Sequence, residues 1–568
     1  MKKTFRLLAV CGVALSSITA IWAQNPKLSP DLQTGQESDT IDIIVQYNTA
    51  PTQENHRRMA SRGVALKHSY TAVWGSLYSA PHAALRSIAE DPDVKYVTPN
   101  RTLQASFDQI TDQTVHSDYL NATGQTGQGI GVAIIDSGIV DLPDFQNSYS
   151  GNSGYGGSNN GYNNGYNGNS DRIVYSQSFL GFGTTAVDQF GHGTHVAGIL
   201  AGNGSGTVYD GIATGANIVN LRVLDANGLG TDANVIAAID TAISLKNKYN
   251  IKVINLSLGR PVYEPAALDP LDQAVEAAWK AGIVVVVAAG NEGRNNTANT
   301  NGYGTIGAPG NDPLVITVGC VKSEGTSVRT DDLIASYSSK GPTLFDHYAK
   351  PDIIAPGNKI VSTLPPGLTL SNLFPANRVT GNYFILSGTS MATPVVSGAA
   401  AILINNYNYI TPDQVKAILM QSASKNNFPT SSVAVDPVTG ISYTSYYDIF
   451  TIGAGELDIK AAAAVSSLPP VGYSAASPAV AYNATTGQVT LQGIGAANVV
   501  WGANVVWGAN VVWGASAILA NNVVWGANVV WCASSMIGFN VVWGANVVWG
   551  ATSTNSSEST ILTANGEQ

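Results

Sequence analysis

The sequence has few charged residues and few cysteines. Only 12% of its 568 residues are Asp, Glu, Lys or Arg, about half the usual share. The 38 acidic residues outnumber the 28 basic ones and give a net charge of −10, which argues against nucleic-acid binding. The three cysteines are Cys11, Cys320 and Cys532, too few for a disulfide framework. We expect Cys320 and Cys532 to be buried thiols, and a disulfide between them is the alternative.

The first residues have the pattern of an export signal. Three basic residues among the first six precede an apolar stretch over 7–18, and small residues lie before Gln24. This pattern predicts a signal peptide over residues 1–23 and a secreted or cell-surface location. The tetrapeptide that ends at Cys11 also resembles a lipoprotein cleavage box, but the apolar stretch before it is short.

Ser390 lies in the run Ser-Gly-Thr-Ser-Met-Ala-Thr-Pro over 387–394, directly before an apolar, Ala-rich stretch. A lone serine before a helix is usually an N-cap. The alternative is a nucleophile at a helix N-terminus, where free N–H groups favour developing negative charge. A serine nucleophile needs a general base and a group that orients that base.

Both partners are present in suitable settings. Asp136 ends the apolar run over 131–135, which is typical of a buried parallel strand. Its carboxylate is therefore expected at the carboxyl edge of a sheet, where α/β proteins build their sites. His192 lies in Gly-His-Gly-Thr-His-Val-Ala-Gly at the start of an apolar helix. Taken alone, Asp136 would be a turn or cap residue, and His195 is expected to pack beside the site.

These motifs, in the order Asp, His, Ser, resemble the subtilisin-like serine peptidases (peptidase S8 family) over about residues 110–465. The resemblance implies an α/β fold with a doubly wound, mostly parallel sheet. It also implies that Asp136 orients His192 and that His192 activates Ser390 for attack on a peptide carbonyl. No cofactor is required for this chemistry.

The resemblance also assigns residues that bind substrate and transition state. Asn291, after an apolar strand, matches the side chain that donates to the oxyanion. An edge that pairs with extended substrate and a pocket open to large apolar or aromatic P1 side chains are also implied. The residues assigned to substrate binding are Ser257, Leu258, Gly259, Gly290 and Gly307.

A structural calcium ion is a further expectation of the resemblance. Asp144 matches one ligand of the family's strong site. Ser205 stands where the usual Asn ligand would fall, and losing one oxygen weakens a site that needs six to eight of them. The sequence therefore leaves calcium binding open, with Asp144 as the candidate ligand.

Residues 41–106 are predicted to form a small α+β domain after a linker over 24–40. The patterns favour strands over 42–47, 69–79 and 94–97, with helices over 52–62 and 81–89. This β-α-β-β-α-β-like order resembles the family's inhibitory propeptide, which would occupy the substrate cleft and be removed near residues 103–109. The alternative is an ordinary accessory domain.

The part after the predicted catalytic domain (107–465) differs in composition. Residues 461–557 contain no Asp, Glu, Lys or Arg. After a linker over 466–496, the hexad Asn-Val-Val-Trp-Gly-Ala recurs through 497–551, before a polar tail over 552–568. Seven Asn-Val-Val-Trp copies start at Asn498, Asn504, Asn510, Asn522, Asn528, Asn540 and Asn546.

The six-residue period predicts an all-β repeat segment, because six is a multiple of two but not of 3.6. Degenerate hexads eighteen residues apart favour a β-solenoid of three-strand coils. Stacked hairpins and an adhesive ribbon with Asn ladders are the alternatives. A membrane-spanning helix is disfavoured, since each span would carry several Asn.

Two hypotheses for function follow. The leading one is a secreted, self-processing serine endopeptidase that acts on proteins or peptides, is inhibited by its own propeptide, and attaches to a cell surface or insoluble substrate through the hexads. The other is a surface or adhesive protein whose peptidase domain serves only maturation.

Overall fold

A computed structural model describes residues 40–69, 74–99, 109–146, 171–296, 300–483 and 488–492, apart from 408, 426–427 and 437–438, together with 25, 27–28, 32 and 567. The predicted signal peptide and the hexads lie outside these residues, as does all but one residue of the polar tail. The chain divides into two compact units, Met1–Ala105 and Ser106–Gln568.

The first unit is a four-stranded antiparallel sheet with two helices. The sheet order is β2-β3-β1-β4. The elements follow the predicted β-α-β-β-α-β order. The strand predicted over 69–79 is shorter in the structure, since β2 ends at Ser69 and β3 begins at Gly75. Leu28 and Leu32, in the predicted linker, contact the sheet and its core. The elements are β1 (Thr40–Tyr47), α1 (Gln53–Ala60), β2 (Ala65–Ser69), β3 (Gly75–Pro81), α2 (Leu85–Ala89) and β4 (Val94–Pro99).

The second unit is an α/β domain. Its strands are β5 (Gly131–Asp136), β6 (Ile173–Ser178), β7 (Asn217–Arg222), β8 (Ile251–Leu256), β9 (Val284–Ala288), β10 (Ile316–Lys322), β11 (Leu333–Ile334), β12 (Ile353–Pro356), β13 (Ile360–Thr363), β14 (Arg378–Thr380), β15 (Tyr383–Leu386), β16 (Ser431–Val435), β17 (Ser442–Tyr446), β18 (Ala479–Asn483) and β19 (Gln488–Gln492). Its helices are α3 (Gln109–Val115), α4 (Ser117–Ala122), α5 (His192–Ala201), α6 (Asp232–Leu245), α7 (Pro270–Lys280), α8 (Thr369–Leu373), α9 (Thr389–Asn406), α10 (Pro412–Ser422) and α11 (Ile459–Ala463).

The central sheet has eight strands in the order β11-β10-β9-β8-β5-β7-β6, with β12 also paired to β10. Every pairing is parallel except β10 with β11. Strands β5 and β9 are buried along their whole length, as expected for a parallel sheet covered on both faces. The predicted α/β class with a mainly parallel sheet is confirmed.

Helices cover both faces of this sheet. Helix α5 packs with α9, and α6 packs with α7, while both pairs contact the central strands β5, β8 and β9. Because the two pairs cover the same strands, they lie on opposite faces. The chain leaves β5 toward β6 and β7 on one side and later returns to add β8 on the other. This reversal is a topological switch point, where open α/β sheets place their sites.

The region predicted as a linker over 466–496 is instead partly packed on the second unit. Ala475 and Val480 are buried, and the Ser477 N–H donates to the Pro313 carbonyl at 2.8 Å. Strands β18 and β19 then form an antiparallel hairpin. Over the described residues, no helix has the length and apolar character needed to cross a membrane.

Candidate active site

Asp136 and His192 meet at the carboxyl edge of the sheet. Asp136 is the last residue of β5 and His192 the first of α5. His192 Nδ1 lies 2.8 Å from Asp136 Oδ1, with 17% of the His192 side chain exposed and 1% of that of Asp136. Burial lowers the pKa of His192, but the charge and hydrogen bond of Asp136 act in the opposite sense, and the net direction is upward. The hydrogen bond leaves the other ring nitrogen for chemistry.

Asp188 supports this pair, and the sequence interpretation missed it. Its buried carboxylate accepts hydrogen bonds from the Ser137 hydroxyl at 2.9 Å and from the Gly191 N–H at 2.8 Å. It also accepts from the N–H and hydroxyl of Thr194. These contacts hold the start of α5 against the turn that follows Asp136. The only hint in the sequence is that Asp188 lies four residues before His192. The residues that bind its carboxylate are revealed only by the fold.

Ser390 lies in the first turn of α9 and is partly exposed. Its hydroxyl donates to the Ser257 carbonyl at 3.1 Å, and the Ser257 hydroxyl donates back to the Ser390 carbonyl at 2.8 Å. Ser257 directly follows β8. The turn that carries Ser390 is therefore hydrogen-bonded to the carboxyl end of a central strand. Ser390 lies at the N-terminus of a helix, as predicted.

Asn291 follows β9 beside this turn. Its Oδ1 accepts from the Thr389 N–H at 3.0 Å and from the Thr389 hydroxyl at 3.1 Å. Because a backbone N–H can only donate, these bonds identify the oxygen of the amide, and Nδ2 remains as a donor. Nδ2 lies next to Gly388, where an added Cβ would be 3.4 Å from it. An N–H donor thus faces the backbone of the nucleophile turn.

The remaining predicted substrate residues form one wall beside the nucleophile. Arg260 and Ala308 exchange backbone hydrogen bonds of 3.0 and 2.8 Å, which tie the segment after β8 to the segment around Gly307. Gly290 has φ +106°, and a Cβ there would lie 2.8 Å from the Ser339 hydroxyl. A Cβ on Gly307 would lie 2.9 Å from the Arg260 carbonyl. Neither position accommodates a side chain without a shift.

Two other residues of this wall, Leu258 and Gly259, lie between Ser257 and Arg260; Leu258 is half-buried and Gly259 exposed. The Arg260 guanidinium forms ion pairs with Asp269 at 2.8 Å and with Asp232 at 2.9 Å, and these pairs fix the end of this segment. Exposed backbone at Gly259 is available to an extended peptide.

His195 is fully buried on α5, and its hydrogen-bond partner is a backbone carbonyl rather than a carboxylate. A ring nitrogen, Nε2, lies 2.9 Å from the Phe384 carbonyl. Burial lowers its pKa to about 3. His195 is thus neutral at physiological pH and packs beside the site.

The surroundings of Asp144 do not fit a calcium ion. The Tyr383 hydroxyl contacts Asp144 Oδ1 and lies 2.8 Å from the Gly204 carbonyl, while the Arg172 guanidinium donates to the Asp144 carbonyl at 2.7 Å. Calcium prefers six to eight oxygen ligands without competing donors. The described part of the chain has no group of three or more His, Cys, Asp or Glu side chains arranged to hold a metal.

Comparisons with known proteins agree on one family. The model of the subtilase family, Peptidase_S8, matches residues 127–436. Serine protease AprX of Bacillus subtilis is 36% identical over 61% of this chain and 73% of its own length. Subtilisin E of the same species is 31% identical over 64% and 80%. The extracellular serine proteinase of Thermus sp. is 32% identical over 65% and 76%.

Proposed function

The chain belongs to the subtilase family and is a subtilisin-like serine endopeptidase, and on this premise we propose that Asp136, His192 and Ser390 form its catalytic triad. The observation that carries the proposal is the 2.8 Å contact between Asp136 and His192 at the sheet edge that also holds Ser390. Asn291 is the side-chain donor to the oxyanion, since its Nδ2 is the free end of a fixed amide.

The mechanism uses these groups in sequence. The Ser390 hydroxyl turns from the Ser257 carbonyl toward His192, which takes its proton as Ser390 attacks the substrate carbonyl. Asn291 and the Ser390 N–H stabilise the tetrahedral oxyanion. His192 then protonates the leaving amine, and the resulting acyl-enzyme is hydrolysed by water along the same route.

Hydrolysis of a denatured protein tests this proposal. We expect Ser390→Ala to lower kcat by a factor on the order of 10⁶ and a serine-directed acylating reagent to inactivate the unmodified chain. Ser244→Ala, at an exposed serine of α6, is the matched control and should retain activity. Hydrolysis by Ser390→Ala at the rate of the control would rule the assignment out.

Large apolar or aromatic P1 residues are the proposed specificity. Support comes from Gly290 and Gly307, which bring no side chain to the segments near Ser390. Peptides that differ only at P1 test it, with kcat/KM expected to be higher for Phe than for Lys. Equal kcat/KM values for the Phe and Lys peptides would contradict the proposed preference.

Secretion and self-processing complete the proposal. The export pattern over 1–23 supports secretion, and one relative is named an extracellular proteinase. The separate unit that ends at Ala105 supports a propeptide that inhibits the enzyme until it is removed. We further propose that the hexads attach the enzyme to a cell surface or an insoluble substrate.

A further inference from the structure

Glu567 occupies a buried polar site on the second unit. Only 5% of this residue is exposed. Its Oε2 accepts hydrogen bonds from the Ser336 N–H at 2.7 Å and from the Ser336 hydroxyl at 2.9 Å. Two cations flank the carboxylate, with Arg294 Nη2 at 3.7 Å and Lys322 Nζ at 3.6 Å. A buried carboxylate with this surrounding is compensated by donors and charge together.

The main chain of Glu567 is recognised as well. Its N–H donates to Asn358 Oδ1 at 2.8 Å, and Asn358 Nδ2 donates to its carbonyl at 3.0 Å. A single amide side chain thus binds both backbone groups of one residue. A peptide segment can form this pair of backbone hydrogen bonds, whereas a free ion cannot form it.

The site is held in place by contacts that do not involve Glu567. Arg294 donates through Nε to the Ser336 hydroxyl at 2.7 Å, pairs with Asp436 at 3.1 Å and lies over the ring of Tyr443. The Tyr337 hydroxyl donates to Asn358 Oδ1 at 3.2 Å. Groups oriented in advance lower the entropy that binding costs.

The site also adjoins both segments that carry the proposed chemistry. Arg294 lies three residues after Asn291, and the Gly293 N–H donates to the Tyr337 carbonyl at 2.8 Å. On the other side, the Lys359 N–H donates to the Ser387 hydroxyl at 2.8 Å. The site is therefore linked by hydrogen bonds to the oxyanion segment and to the residues that precede the nucleophile turn.

We propose that Arg294, Lys322, Ser336 and Asn358 form a docking site for a glutamate-bearing peptide segment, and that Glu567 fills it within the same chain. The hexads over 497–551 lie between this contact and the packed residues around Val480. The docking site thereby fastens the sequence on the far side of the hexads to the catalytic unit. A tether within one chain keeps such a site occupied through a high effective concentration.

Binding of a short peptide to the full chain tests this site. The probe is a fluorescent, end-capped peptide with the sequence of residues 564–568, and the protein carries Ser390→Ala so that the peptide is not cut. With Glu567→Ala added, we expect saturable binding by fluorescence anisotropy. The chain that keeps Glu567 should bind the peptide with an affinity lower by about tenfold or more, because its site is filled. A peptide with Gln in place of Glu should bind the Glu567→Ala chain with an affinity lower by about tenfold or more.

A further variant and a competitor separate this site from the substrate cleft. In the Glu567→Ala chain, Asn358→Ala should abolish peptide binding, whereas an excess of a peptide substrate with Phe at P1 should leave it unchanged. Glu567→Gln preserves the side-chain volume and replaces Glu567→Ala in the binding experiment if the Ala variant unfolds. Glu558→Ala is the control for the removal of an acidic residue. The proposal is overturned if folded Glu567 variants bind no peptide, if the Glu and Gln peptides bind equally, or if the Phe-P1 peptide substrate displaces the probe.

Discussion

At the scale of single residues, hydrogen bonds decide which atoms of the site are available for chemistry. Asp136 fixes one nitrogen of His192, and Thr389 occupies the oxygen of Asn291. What remains for chemistry is one imidazole nitrogen of His192 and the amide NH2 group of Asn291, which are the kinds of group that acyl transfer requires. The sequence motifs predicted the residues, but Thr389 and Asp188 emerged as positioning residues only from their contacts.

Replacing Asp136 tests how His192 is tuned. Because the carboxylate raises the pKa of His192, kcat/KM of the unmodified enzyme should rise with pH through a midpoint above about 6.5. Asp136→Asn should lower kcat by a factor on the order of 10⁴ and move this midpoint down. Full pH–rate profiles measure both effects.

Asp240→Asn, at an exposed position of α6, is the control and should reproduce the original profile. An Asp136→Asn profile with an unchanged midpoint would contradict the proposed role of the carboxylate.

At the scale of elements, the parallel strands bring distant segments to one edge. The ends of β5, β8 and β9 supply Asp136, Ser257 and Asn291, and helices α5 and α9 begin at the same edge. Apolar runs in the sequence predicted the strands. The neighbours β5 and β8 lie far apart in the chain, so their adjacency depends on the crossover that only the fold reveals.

The contact between Tyr383 of β15 and Asp144 predicts little dependence on calcium. A chelator should leave the unfolding temperature unchanged, because the Tyr383 hydroxyl already contacts Asp144. Tyr383→Phe should reduce the free energy of unfolding by about 1–3 kcal/mol through the loss of this donor. Thermal unfolding with and without EDTA provides the measurement, and a marked loss of stability in EDTA would restore the calcium hypothesis.

Two buried carboxyls, Asp332 before β11 and Glu456 before α11, predict a dependence of stability on pH. Burial raises the pKa of Asp332 to about 7, and burial together with the charge of Asp332 raises that of Glu456. The unfolded chain loses these protons near pH 4, whereas the folded chain retains them. The free energy of unfolding should therefore fall as pH rises from about 4 to about 7.

Glu456→Gln removes one ionisable group while preserving its shape. At pH 8 it should raise the free energy of unfolding and flatten its dependence on pH. Denaturant unfolding at pH 5 and pH 8 measures this. A variant that is destabilised equally at both values would show that the pair contributes packing alone.

At the scale of the whole molecule, two units joined near residue 105 suit a zymogen that cleaves itself. Mass spectrometry of the secreted protein should show a chain that begins near residues 103–109. Ser390→Ala should instead retain the first unit and begin near Gln24. Removal of the first unit from the Ser390→Ala protein at the same point would mean that another peptidase performs the cleavage.

The sequence alone determined the family, the export signal expected at its start and the residues of the proposed triad, because each depends on a short motif. The structure decided what depends on contacts between residues far apart in the chain. Asp144 contacts Tyr383 rather than a full set of oxygen ligands, residues around Ala475 and Val480 pack on the second unit, and Glu567 is buried beside Ser336. Burial and hydrogen-bond direction arise only when these segments come together, so no local pattern encodes them.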